Sequence, residues 1–344
     1  MPGMNLKTLS AKLGLSQTTV SRALNGYPEV SENTRRRILQ AADQYNYRPN
    51  AGAKGLATGR SMRIGHVIPL NNDHQMVNPV FGDFIAGAGE AYANAGYDMV
   101  LSVVRGDQEQ DAYRDMAAKR SVDGVVVHGP RENDPRPALL AELGLPFVVH
   151  GRVSTFAQNY SFMDMNNRRA FQRATEFLLD LGHTRIALLN GWETFDFANR
   201  RRVGFEQALQ ERGLQVDPDL MADGEMTETL GHSSARRMLA LGAPPTAFVV
   251  SSIMMAMGVR RALDELSLSI GRDVSILAHD DVLSYLDNGN ALPVYTATRS
   301  SVRDAGRRCA EMLLHQIANP TAPLQTELWE AELTLGQSTG RAPT

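Results

Sequence analysis

The segment GLSQTTVSRALNG, residues 14–26, groups amide, hydroxyl and guanidinium side chains within about two helical turns. In a helix, Val20, Ala23 and Leu24 share one apolar side, and Gln17, Thr18 and Ser21 face away from it, with Arg22 one turn beyond Thr18. Glutamine pairs bidentately with adenine, and arginine with guanine, in the major groove. In a recognition helix the N-terminal residues reach the base edges. Ser16, Thr19, Ser21, Asn25, Ser31 and Thr34 lie near expected helix starts, where hydroxyl and amide groups suit phosphate oxygens. This is the chemistry of reading, by hydrogen bonds, rather than of making bonds. A plain solvated polar face is the alternative that pattern alone leaves open.

Nothing comparable points to catalysis. The chain contains no GxxxxGKS/T or HExxH. His279, Asp280 and Asp281 are adjacent, but two neighbouring carboxylates beside one imidazole do not make a metal site. No enzymatic activity, metal or cofactor is expected.

The polar segment requires small helices to carry it. Leu6, Leu9 and Leu13 predict a first helix with Asn5 as its N-cap and Gly14 as its stop. Ser16 caps a second over 17–24, and Ser31 a third over 32–45 with Ile38, Leu39, Ala42 and Tyr45 inward. Two short helices joined by a tight glycine turn, closed by a third, describe a helix-turn-helix unit. Charge agrees. Residues 1–60 carry nine Lys or Arg against three Asp or Glu; with a net charge of −3 overall, the rest of the chain holds −9. A basic head on an acidic body suits a polyanion such as DNA.

Beyond the head, short apolar runs such as RIGHVIP, VDGVVVHG, PFVVHG, RIALLNG and VSILAHD alternate with amphipathic stretches. This rhythm predicts parallel sheets covered by helices on both faces, with ligands bound at the carboxyl ends of the strands. A composition of 43% hydrophobic and 21% charged residues is that of a globular protein. No apolar run approaches the roughly 18 residues of a membrane span, and the N-terminus does not read as a signal peptide. With a single cysteine, Cys309, expected as a buried thiol, a cytoplasmic location without a membrane partner is expected.

The run from LSAKLGLSQTTVSRALNG through VSENTRRR to YRPNAGAKGLATGRS resembles the DNA-binding head and hinge of the LacI/GalR family of bacterial transcription regulators. The patterns S-x-x-T-V-S-R-x-L-N, V-S-x-x-T-R and Y-x-P-N occur in order, and the likeness continues to GQSTG near the C-terminus. The resemblance implies an all-α helix-turn-helix head plus an α/β bilobal periplasmic-binding-protein-like (type I) body. It implies base reading by Gln17, Thr18 and Arg22, and a hinge helix whose Leu56 wedges into the minor groove. Gly52 and Gly55 each weaken that hinge helix by about 1 kcal/mol, so it is expected to form only on DNA.

The implied layout is a DNA-binding domain over 1–49, a hinge over 50–60 and an effector-binding and dimerisation body over 61–344. One lobe is expected from 61–157 plus 287–325, the other from 158–286 plus 326–344, with the chain crossing near 153–161, 280–290 and 320–330. The motif RxxGF places the family's effector-binding arginine at Arg201, and Asp280 matches its acidic partner. Phe81 follows the N-P-F-like loop, and His128 and Arg152 close strands. Trp192, Phe195 and Phe197 offer flat faces to a sugar ring.

Ser251, Asn166 and Ser300 stand where the family has asparagine, aspartate and glutamine; Ser251 and Ser300 remain candidate effector contacts. The segments HQMVNPVFGDFIAGAGEAY and RRRVGFEQAL are similar to repressors of α-glucoside utilisation operons. The expectation is a homodimeric repressor on a palindromic operator, controlled by a small sugar. LGQSTGRAPT holds no heptads for a coiled-coil tetramer. A sugar-binding protein without regulation, and an activator or corepressor-dependent regulator, are the rivals.

Overall fold

A computed structural model of the chain describes residues 4–24, 27–47, 59–70, 78–153, 159–289 and 292–343. It divides into two compact units, Met1–Met62 and Arg63–Thr344.

The first unit is helical. Helix α1 (Leu6–Leu13) is capped by Asn5, whose Oδ1 accepts the Thr8 N–H at 2.9 Å, and ends at Gly14 in the left-handed region (φ 66°). Helix α2 (Gln17–Leu24) starts on Ser16, whose Oγ accepts the Thr19 N–H at 3.0 Å. Helix α3 (Glu32–Gln44) repeats the device with Ser31 and Thr34 at 3.3 Å. The core is Leu9, Leu13, Val20, Ala23, Val30, Ile38, Ala41 and Ala42. Leu39 is not part of it. The stripe of α3 runs through Ile38, Ala41 and Ala42, one step around the helix from Leu39, which is 49% exposed. Arg37 donates from Nη2 to the Leu13 carbonyl at 2.9 Å, and Arg35 to that of Tyr27 at 2.7 Å, so these two cations brace the fold.

The second unit holds two six-stranded sheets. The first contains β1 (Arg63–Leu70), β2 (Asp98–Arg105), β3 (Gly124–His128), β4 (Phe147–His150), β5 (Ser161–Met165) and β11 (Thr326–Trp329), in the order β11-β5-β4-β3-β1-β2. All its pairings are parallel. Helices α4 (Pro79–Asn94) and α11 (Val302–Ala318) cover one face, where Phe84, Tyr92, Val126, Val148, Cys309 and Leu313 pack; α5 (Glu109–Lys119) and α6 (Arg136–Glu142) cover the other. Helices α4 and α11 approach so closely that a Cβ on Gly87 would stand 1.9 Å from the Arg303 carbonyl oxygen.

The second sheet contains β6 (Ile186–Gly191), β7 (Met221–Gly224), β8 (Ala247–Val250), β9 (Ser275–Asp280), β10 (Thr296–Arg299) and β12 (Glu332–Thr334), in the order β12-β10-β9-β8-β6-β7. Only β12 is antiparallel to its neighbour, β10. Helices α7 (Asn167–Asp180) and α8 (Asp196–Glu211) cover one face, α9 (Glu228–Leu239) and α10 (Ile253–Glu265) the other.

The lobe boundaries differ from those expected. Strand β5 extends the first sheet, so the first crossing follows Met165 rather than lying near 153–161. Strand β10 belongs to the second sheet, so the second crossing lies between Arg299 and Val302 rather than near 280–290. Strand β11 pairs with β5, so 326–329 belong to the first lobe. Apolar runs mark where strands are; they do not show which sheet a short strand joins. Among the described residues no helix is long and apolar enough to cross a membrane.

Candidate functional site

In the head, Gln17, Thr18 and Arg22 are exposed on one side of α2, and Thr19 and Ser21 are half-buried beside them. The Ser16 and Ser31 hydroxyls are engaged in their caps and bond the Thr19 and Thr34 hydroxyls at 2.8 and 2.9 Å. Both caps hold helix N-termini, which attract phosphate. Asn25 and Leu56, with hinge residues 50–58, lie outside the described residues.

In the body, a cavity of about 280 Å³ lies at the carboxyl ends of the strands of both sheets. Its wall includes Phe81, His128, Arg152, Trp192, Phe195, Phe197, Arg201 and Ser300 of the expected contacts. Ser251 and Asp280 lie elsewhere.

Arg201, on α8, is the most constrained of these groups. Its Nε donates to Asn167 Oδ1 at 2.8 Å and its Nη1 to the Ser251 carbonyl at 2.9 Å. Its guanidinium lies between the rings of Phe171 and Phe197, at 4.9 and 5.0 Å. Burial lowers it to about 10, opposed by Asp281 and Asp164, so it stays cationic at neutral pH. Ser251 therefore serves through its backbone; its hydroxyl donates to Asn190 Oδ1 at 2.8 Å, inside the second lobe.

Asp281, not Asp280, is the carboxylate that faces the cavity. Side chains alternate along an extended chain, so His279 and Asp281 point one way and Asp280 the other. Asp280 accepts from Arg299 Nε at 3.1 Å and from the Val282 N–H at 2.8 Å. Burial pushes Asp281 up to about 7, against the pull of Arg201. Ser300 contributes by standing 3.4 Å from His279 Nε2.

Two further arginines of the wall, Arg152 and Arg136, are paired with carboxylates. Arg152 donates to Asp164 at 2.8 Å, and burial still raises that carboxyl to about 6. Arg136, which the sequence reading missed, binds Asp134 and Glu109 at 2.6 and 2.5 Å and holds the Gly129 carbonyl at 3.1 Å. Trp192 is 47% exposed at the mouth. Phe195 and Phe197 stack at 6.1 Å. The lobes meet beside them, where the Asp196 N–H donates to the Pro130 carbonyl at 2.9 Å. His150 was also missed, although its strand end, HG, repeats that of His128; the two rings are 6.4 Å apart. Among the described residues no cluster of three or more side chains could hold a metal ion.

The pattern of bacterial regulatory proteins, lacI family, matches residues 9–50, and that of the periplasmic binding protein-like domain matches residues 175–339. The chain is 45% identical over 344 residues to the HTH-type transcriptional regulator AglR of Rhizobium meliloti (strain 1021), covering 99% of this chain and 95% of that one. Among solved structures it is similar to a transcriptional regulator CelR–cellobiose complex, at 26% identity and a TM-score of 0.71, covering 97% of this chain and 99% of that one. It is also similar to the Lac repressor bound to ONPG in the repressed state, at 25% identity and a TM-score of 0.82, covering 98% and 100%. These relatives are transcriptional regulators.

Proposed function

The chain belongs to the lacI family of bacterial regulatory proteins and is a DNA-binding transcriptional regulator, and from that premise we propose a cytoplasmic homodimeric repressor whose effector is an uncharged sugar, an α-glucoside first among candidates. The observation that carries the sugar is the charge pattern of the cavity. Arg152 and Arg136 are matched by carboxylates within the wall, and Arg201 faces Asp281. A ligand that brought its own charge would leave one of these groups uncompensated in a buried site. Hydroxyl groups accept from the guanidinium and donate to the carboxylate, while aromatic faces cover the apolar side of a ring. A cavity of about 280 Å³ suits a small ligand.

Each subunit of the dimer sets Gln17, Thr18 and Arg22 into one half of a palindromic operator. The effector changes the balance between DNA-competent and DNA-incompetent arrangements through its different affinity for the two. The chain performs no reaction in this account.

Thermal unfolding with maltose, sucrose, trehalose, glucuronate and glucose 6-phosphate tests the proposal, repeated with operator fragments. At least one of the neutral glucosides raises the melting temperature and weakens DNA binding. Stabilisation by the acids alone, or by none of the five, rejects the neutral-glucoside effector.

A further inference from the structure

His66 is fully buried in the middle of β1, on the face that packs Ile64, Phe84, Tyr92, Val126 and Val148. A polar ring in that setting must be hydrogen-bonded. Its Nδ1 is 2.9 Å from Nε2 of His128, and its Nε2 is 3.1 Å from the Tyr92 hydroxyl. Burial keeps both rings uncharged, holding His66 near 3 and His128 well below the usual imidazole range, the latter also disfavoured by His66, His150 and Arg136.

A neutral imidazole has one donor and one acceptor, so the three groups have a direction. The Tyr92 hydroxyl is buried, and among the described residues His66 Nε2 is its partner. If His66 donated at Nε2, the phenolic proton would be left unmatched in the interior, at a cost of about 1–3 kcal/mol. The phenol therefore donates to Nε2, and His66 carries its proton on Nδ1. That proton goes to His128 Nε2, which must accept, and His128 carries its own proton on Nδ1. The His128 ring lines the cavity, edged by Phe81 and Phe84 with ring centroids at 5.2 and 4.9 Å. Its Nδ1 has no protein partner among the described residues and is not sealed in the interior.

Resting on the reading of this cavity as an effector site, we propose that Tyr92 and His66 are positioning residues that fix His128 as a hydrogen-bond donor toward an oxygen of the effector. The consequence is selectivity. The ligand must present an oxygen lone pair at His128, and an ammonium group in that place is rejected.

Nitrogen-15 NMR of the imidazoles in the whole, ligand-free protein tests the direction. His66 and His128 both show the Nδ1–H form, the reverse of the usual preference of histidine. Tyr92→Phe returns part of the population to Nε2–H and weakens binding of whichever of maltose, sucrose or trehalose binds, by roughly two- to tenfold. An Nε2–H form at either ring of the parent protein overturns the proposal, and this needs no variant to fold. Unchanged tautomers in Tyr92→Phe overturn it too, as does a sugar complex in which the His128 Nδ1–H signal does not move. Failure of all three sugars to bind, with the tautomers as stated, counts against the sugar reading alone.

Discussion

Arg22 is exposed on α2, and a guanidinium so placed fits the two acceptors of a guanine. Arg22→Ala is expected to cost about 1–3 kcal/mol at one operator base pair and to relax specificity there. Equal losses on all sequences, in titrations of operator variants, would make Arg22 a phosphate contact instead. Arg201→Ala is expected to leave operator affinity intact and abolish the effector response; an unchanged response would remove Arg201 from the site. Asp281 supplies a pH signature. Its folded value of about 7 lies above the ordinary 3.8, so the folded chain binds that proton more tightly. Its stabilising contribution is complete below about pH 4 and is lost as pH rises to about 7. Asp281→Asn should therefore gain stability relative to the parent chain across that interval and level off above it. A difference in melting temperature that stays flat with pH would show an ordinary carboxylate. Much of this wall is legible in the sequence, because His128, Arg152 and Arg201 sit at strand ends or in a motif. The choice between Asp280 and Asp281 is not, since it depends on which way one peptide turns after β9.

At the level of elements, the segment after β9 reaches over to the first lobe before the chain returns to β10. Val282 is held in the left-handed region (φ 54°), a conformation disfavoured for a β-branched residue. It sends Leu283 into the core beneath the first sheet, beside Phe84, Val302 and Ala305. The next residue, Ser284, donates its N–H to Asp83 of α4 at 2.7 Å. Asp83→Ala is expected to destabilise the body by about 1–3 kcal/mol and to speed amide exchange at Ser284. Unaltered exchange there would show that Leu283 alone holds the segment. Helices α1, α2 and α3 are readable from caps and periodicity, because each is a local pattern. Strands β5, β7, β10, β11 and β12 are three to five residues long and partly polar, as in SFMDM or TATR. They exist because neighbouring strands receive them, which no local pattern records.

Across the whole molecule, charge is divided between a basic head and an acidic body, whereas Arg136 and Arg152 of the cavity are matched by Glu109 and Asp164 within its wall. The two binding events should therefore respond differently to salt. Operator affinity is expected to fall by orders of magnitude between about 50 and 200 mM salt, and affinity for a neutral sugar to change little. Titrations at both concentrations decide; operator binding that ignores salt would contradict a phosphate-contacting head. The threefold crossing between lobes also bears on synthesis. The first sheet receives β11 and the cover of α11, and the second receives β12, all from beyond residue 300. Neither lobe can be completed until the last stretch has left the ribosome. The head waits for nothing, since its core closes within residues 4–47. During translation, N-terminal units fold first. A growing chain thus carries a finished reader of DNA well before the sensor that governs it, and a chain cut short near residue 300 keeps the reader and lacks the sensor.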